Sequence, residues 1–399
     1  MVRTMNPANQ NRANRWSLCV FSAGTAIGLL LMGGVSGRAF GQVAPAAQPA
    51  AKAAAKTAAQ EAAKAPAQPA AKPDATKPAT PATQPAKPAV APAPPAPTAK
   101  TSAGKDGKEK KKEEPPPEPE SFNLRTKDGW NIFCTYYGPK KGVRSGKHVV
   151  PIIMLHGWKG QGSEYADLAT VLQSWGFASI VPDLRGHGRS VSRKKPNGED
   201  EVVQVDDLKP QDMDGMVLDV EAVKKVLIEK NNSAELNIEM LTVIGAEVGS
   251  IVAVNWAALD WSWPMTPAYK QGQDVKALVL LTPQQTFRRM NCTKALATPA
   301  VSQRLSVLLA VGAEQATEHK EASRIHSRLE RVRPPVEKDQ IAQKQDLFLI
   351  VAPTPLQGTK LLDRALKVNG AIMTFVDWRL LRKMEDFPWT ERKDPLGGS

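Results

Sequence analysis

The chain has 399 residues, 33 of them Pro, only three Cys, and a net charge of +13. The length exceeds one ordinary domain, but the first part of the chain lacks the large apolar side chains of a second core. About 280 residues remain, enough for one well-buried domain.

Residues 1–41 read as a secretory signal. Arg3, Arg12 and Arg15 give a basic start, Leu18 to Val35 is apolar, and Ala39-Phe40-Gly41 before Gln42 offers a small-x-small cleavage site. The expected location is secreted or periplasmic. The alternative is an uncleaved N-terminal anchor, since about 18 apolar residues is borderline for spanning a bilayer. Cys19 lacks a lipoprotein-type setting.

Residues 42–120 are Ala-, Pro- and Lys-rich, a low-complexity stretch that buries too little surface to offset its ordering entropy, so a disordered linker is expected. Extended at ~3.1 Å per residue, its reach is at most on the order of 200 Å. Residues 1–120 hold 16 Lys/Arg against 8 Asp/Glu, a surplus of +8, so the rest of the chain carries only +5 of the +13. Such a basic tail suits weak contact with cell-wall polymers or a membrane surface, beside the plainer reading of a solvated spacer. Nucleic acid is not an expected partner, because the chain carries an export signal and no basic face interleaved with aromatics.

The domain is expected over 121–385, with a tail over 386–399. Phe122–Tyr137 alternates on both sides of Asp128-Gly129, the pattern of a hairpin. Lys147 to Leu155 is the next strand, Ser163 to Trp175 a helix, and Phe177 to Val181 a strand. Asp183-Leu-Arg-Gly-His-Gly-Arg-Ser190 is a tight loop, followed by a polar exposed loop to about Lys209. Gln211 to Lys230 is an amphipathic helix with Met216, Val220, Val223 and Leu227 on one face. Glu239–Ala258 reads as a short buried strand, a turn with Gly245 and Gly249, and an apolar helix, and three more apolar strands are expected at Val275–Thr282, Leu305–Gly312 and Leu347–Ala352. Helical patterns cover 284–297, 316–331, 356–367 and 371–383. Strands alternating with helices predict an α/β fold: a mostly parallel sheet covered on both faces, with an antiparallel edge. The segment between Thr282 and Leu305 is too short for a full lid domain, and no internal repeat is present.

Three motifs carry the chemistry: the turn at His156-Gly157, the loop at 183–190, and Gly245-Ala-Glu-Val-Gly249 between a buried strand and an apolar helix. The last has the layout of a nucleophile elbow, in which glycines let strand and helix approach and the apex side chain is pushed out of the sheet. In this order and spacing, the motifs make residues 122–383 resemble the α/β-hydrolase superfamily, most of all its single-domain esterase and serine-aminopeptidase-like members. The resemblance implies acyl transfer at a site with a nucleophile, a His base, an acid and two backbone donors for an oxyanion. The donors would be the N–H groups of Trp158 and Val248, with His156, Gly157, Gly245 and Gly249 shaping the elbow and pocket and Trp158 and Lys159 flanking its mouth.

The reactive groups do not follow the pattern. Glu247 stands where the nucleophilic serine belongs. The acid position falls in Val311-Gly-Ala-Glu-Gln-Ala316, where Glu314 is the candidate, with Gln315 nearer the usual alignment. The base position falls in Ala352-Pro-Thr-Pro-Leu-Gln-Gly-Thr359, which holds no His. Of the five histidines, His156 and His187 belong to structural loops, His148 lies at a strand entrance, and His319 and His326 share a face of the 316–331 helix. An ester intermediate on Glu247 would still lack a base for the water, and Ser250 lies inside the helix, off the apex. A carboxylate at the elbow instead accepts hydrogen bonds from the helix N-terminus, fills the oxyanion hole, and has a depressed pKa. No metal site and no cofactor are expected, because no His pair has ligand spacing with a nearby carboxylate or Cys. Gly157-Trp-Lys-Gly-Gln-Gly162 matches no phosphate-loop spacing.

Cys134 and Cys292 are expected as two separate thiols. Trp256, Trp261 and Trp263 read as packing residues, with a sugar-stacking or partner patch as the alternative. The sequence therefore predicts an exported hydrolase-fold protein that is a catalytically inactive or non-standard homologue and acts as a binding module. Its ligand, small molecule or protein, is not named by the sequence. The alternative is an active carboxylesterase or aminopeptidase-like hydrolase with a rearranged site.

Overall fold

The computed structural model describes residues 114–264, 266 and 270–392. The expected signal segment and nearly all of the Ala/Pro/Lys-rich stretch lie outside them, as do the last seven residues.

Among the described residues there are twelve strands: β1 (Glu120–Arg125), β2 (Trp130–Tyr137), β3 (Pro151–Leu155), β4 (Ala178–Pro182), β5 (Ser192–Lys194), β6 (Asp200–Val202), β7 (Leu241–Ala246), β8 (Val275–Leu281), β9 (Thr286–Phe287), β10 (Met290–Asn291), β11 (Ser306–Gly312) and β12 (Leu347–Ala352). Ten form one sheet in the order β12-β11-β8-β7-β3-β4-β2-β5-β6, with β1 on β2. From β4 to β12 all neighbours run parallel, while β2 pairs antiparallel with β1, β4 and β5. β3, β7 and β11 are buried along their whole length, as the centre of a sheet covered on both faces requires.

The main helices are α1 (Ala166–Ser174), α2 (Met216–Asn232), α3 (Val248–Ser262), α4 (Ala316–Glu330) and α5 (Val368–Arg379). The predicted stripe of α2, Met216, Val220, Val223 and Leu227, is fully buried, about 1.5–3 kcal/mol per side chain. The two apolar layers lie on opposite faces of the sheet: α2 and α3 with Ile153, Val243 and Leu278 on one, α1 and α5 with Ile152, Ile244 and Val279 on the other.

Four local expectations change. The polar loop after residue 190 contains β5 and β6, which extend the sheet beyond β2; Arg193 holds them by pairing with Glu201 and Asp212, each at 2.7 Å. Such ion-paired strands carry no apolar alternation to read. The 284–297 pattern resolves into the hairpin β9–β10 and a short helix over Thr293–Ala297. The 356–367 pattern is two 3-10 turns, Gly358–Leu362 and Arg364–Leu366. Finally, residues 387–392 are anchored rather than free. Trp389 Nε1 donates to Asn231 O (3.1 Å) and Arg392 N donates to Asn232 Oδ1 (2.8 Å). The buried Arg392 guanidinium pairs with Asp274 and lies 3.8 Å from Glu239.

Candidate functional site

The elbow joins β7 to α3. Glu247 at its apex has φ 48° and ψ −113°, a left-handed conformation that a non-glycine residue holds only under the constraint of its surroundings. Those surroundings are the glycines. A Cβ on Gly245 would lie 2.4 Å from Gly249 O, and a Cβ on Gly249 2.4 Å from Leu155 O and 2.5 Å from His156 O. Strand and helix thus meet at backbone-to-backbone distance. Glu247 N donates to Leu281 O (2.9 Å), fixing the apex to the end of β8.

The Glu247 carboxylate is wedged between two other backbones. A Cβ on Gly157 would be 2.4 Å from Oε2, and a Cβ on Gly358 2.7 Å from Oε1. Gly358 belongs to the loop after β12, where the family resemblance places the base. That loop is tied down by Gln357, whose Nε2 donates to Gly312 O (3.2 Å) and whose Oε1 accepts from Gly312 N (3.2 Å) and Thr282 Oγ1 (2.8 Å). Gly358 N donates to the same Thr282 hydroxyl at 2.8 Å. A glutamine amide therefore bridges the three loops at the ends of β8, β11 and β12. Gly358 and Gln357 went unmarked in the sequence, where the only signal was position within a loop lacking His.

Among the described residues, no hydrogen bond or ion pair reaches the Glu247 carboxylate. This corrects two expectations. The carboxylate does not fill the oxyanion hole: the N–H groups of Trp158 and Val248 make no hydrogen bond to it, and no side-chain cap is formed at the start of α3. Nor is its pKa depressed. Burial raises the Glu247 carboxyl above the ordinary 4.5, the Glu164 carboxylate raises it further, and Lys360 only partly opposes them. Backbone donors lower a carboxyl pKa only when they point at its oxygens, and this side chain leans toward Gly157 and Gly358 instead.

Above the elbow lies an open cleft of about 440 Å³, lined among others by Trp158, Lys159, Glu164, Leu356 and Lys360. Trp158 is held by His187 (ring centroids 5.1 Å) and Phe287 (5.0 Å), with the Arg288 guanidinium 4.5 Å over its ring. Lys159, at φ 61°, pairs with Asp206 at 2.8 Å.

The histidines are engaged elsewhere. His156 accepts from Leu184 N at Nε2 (2.9 Å), so its Nδ1–H donates to Gly157 O (2.7 Å), and full burial favours the neutral ring. His187 contacts Arg185 O through Nδ1 at 2.9 Å, and burial lowers it to about 4. His148 is exposed beside Met384, and His326 lies 3.9 Å from Glu330. Neither His319 nor His326 makes a hydrogen bond or ion pair with Glu247. Glu314 is exposed, makes no side-chain hydrogen bond or ion pair among the described residues, and does not line the cleft. Ser250 turns its hydroxyl inward, donating to Glu247 O at 2.5 Å and accepting from Gln284 N at 3.2 Å.

Among the described residues, no three His, Cys, Asp or Glu side chains converge as metal ligands. Cys134 and Cys292 are separate buried thiols. Trp256 is fully buried with its Nε1 donating to Glu221, and Trp261 donates to Val275 O, so these two are packing residues.

A family model described as Hydrolase_4, serine aminopeptidase S33, matches residues 146–365. A non-heme chloroperoxidase of Streptomyces lividans is 35% identical over 67 residues, which is 17% of this chain and 22% of the relative; the chain thus matches about a fifth of that relative's length. Among solved structures, a lidless α/β serine hydrolase of Xanthomonas campestris is 14% identical with a TM-score of 0.44, covering 69% of this chain and 98% of its own. An esterase of Pyrococcus furiosus is also 14% identical with a TM-score of 0.44, over 66% of this chain and 91% of its own.

Proposed function

This chain belongs to the serine aminopeptidase S33 family of α/β-hydrolases, and from that premise we propose that it is an exported, non-catalytic member acting as a binding module. The single observation that carries the reading is the Glu247 carboxylate wedged between Gly157 and Gly358. Acyl transfer needs a nucleophile, and a base within hydrogen-bond reach of it. The nucleophile's place is taken by a carboxylate. The loop that would bring a base presents a glycine backbone to that carboxylate, and a His side chain on residue 358 would collide with it. The Ser250 hydroxyl is committed to the elbow backbone. What remains is a shaped cleft over a rigid elbow, with two backbone donors available. The proposed location, secreted or periplasmic, rests on the N-terminal sequence alone.

The test uses the purified chain with a fluorophosphonate probe and short-chain p-nitrophenyl esters. The expected result is no serine labelling and no turnover above the uncatalysed rate, with Glu247→Ser alone restoring neither. Turnover abolished by Glu247→Ala, or robust activity in the Glu247→Ser variant, would overturn the proposal in favour of an active esterase or aminopeptidase-like enzyme.

A further inference from the structure

Granting that the cleft is a binding site, as read above, its ligand class follows from the charges at its floor. We propose that the cleft binds an organic primary ammonium ion, seated on the Glu247 carboxylate with Glu164 beside it. The Glu247 oxygens accept no hydrogen bond and meet no cation within ion-pair distance among the described residues. Gly157 and Gly358 block two sides of the carboxylate, so an approaching partner comes from the cleft. Glu164 lines the same cleft and is fixed there, accepting from Gln161 N at 3.1 Å and from Thr359 Oγ1 at 2.5 Å.

A part-buried carboxylate without protein donors, with a second carboxylate lining the same cleft, is an unmatched negative charge. A primary ammonium supplies both the charge and up to three N–H donors. An anionic ligand would meet two like charges at the same spot. Lys360 also lines the cleft and acts favourably on Glu247, but it is exposed and forms no ion pair with it. The walls formed by Trp158, Pro355 and Leu356 suit an apolar body on the amine. At about 440 Å³ the space fits a small molecule.

The experiment is calorimetric titration of the full chain near neutral pH with three probes of one shape: benzylamine, benzyl alcohol and benzoate. Benzylammonium should bind about tenfold or more tighter than the alcohol, as expected of charge-assisted hydrogen bonds at a part-buried site, with benzoate the weakest. Glu247→Gln keeps the side-chain shape and removes the charge. It should abolish the preference for the amine over the alcohol. Glu164→Gln, whose effect is indirect, should reduce it several-fold and guards against a folding defect in the first variant. Equal affinity for amine and alcohol, a preference unchanged in Glu247→Gln, or no binding of any probe would overturn the inference. Turnover in the ester assay would instead overturn the non-catalytic reading, and the two failures are told apart by which measurement moves.

Discussion

Gly358→Ala tests whether the wedge at the elbow is real, because its cost depends on what occupies position 247. Gly358 has φ +59°, which costs an alanine about 1–2 kcal/mol. The added methyl would lie 2.7 Å from Glu247 Oε1, 3.0 Å from Cδ and 3.2 Å from Cγ. Overpacking of this kind costs about 1–3 kcal/mol. Glu247 cannot retreat toward Gly157, whose own Cβ position is 2.4 Å from Oε2, but it can swing partly into the open cleft, which favours the lower half of that range. In a Glu247→Ser background the clash vanishes and the backbone strain stays. The loss of unfolded-chain freedom on adding the methyl is common to both backgrounds and cancels. Denaturant unfolding of the wild type, both single variants and the double variant should therefore give a coupling energy of about 1–2 kcal/mol. A coupling below about 0.5 kcal/mol, the level seen between independent sites, would mean that Glu247 and Gly358 do not share the space described.

The raised pKa of Glu247 has a stability consequence. Folding favours its protonated form, so the contribution of this one carboxyl to stability falls as pH rises through the window above 4.5 and is not regained at higher pH. Glu247→Gln mimics the protonated form. It should match the wild type below that window and exceed it in thermal midpoint near neutral pH; a difference that stays flat across the titration, or runs the other way, refutes the assignment. At the opposite end of the sheet, Arg392→Ala leaves the fully buried Asp274 with one partner fewer. Losing one member of a buried pair costs about 3–5 kcal/mol, and the low end is expected because Lys224 (3.0 Å) and Lys270 (3.5 Å) still face Asp274. An unfolding midpoint unchanged by this substitution would show that residues 387–392 are not anchored as described.

The order of the fold was legible because its signals are local and periodic. Val275–Leu281, Ser306–Gly312 and Leu347–Ala352 are apolar runs bounded by breakers, and the stripe at Met216, Val220, Val223 and Leu227 has one helical period. What escaped was held by charge or by distant contacts. β5 and β6 exist because Arg193 reaches Glu201 and Asp212. Thr286–Asn291 folds as a hairpin that presents Phe287 to Trp158, a contact no local propensity encodes. Residues 387–392 look like a tail until Arg392 is seen in the buried acidic cluster of Asp274 and Glu239.

At the site the reverse holds: residue identities were legible and side-chain directions were not. Of the five histidines, none lies in the loop after β12, where the family resemblance places a base. Glu247 stands where the family resemblance places a nucleophilic serine. Neither tells where the carboxylate goes, because its direction is set by two glycines 90 and 111 positions away in the chain. The expectation that helix N–H groups would hold it assumed the shortest local partner, yet the side chain leans away from them into space that only Gly157 and Gly358 leave open. The inversion of its pKa follows first from that direction, which buries the carboxyl without donors, and the Glu164 carboxylate adds to it. Desolvation without donors raises a carboxyl pKa, while the same burial with donors lowers it. Where an elbow residue is longer than serine, the residues that decide its chemistry are therefore the ones with no side chain at all.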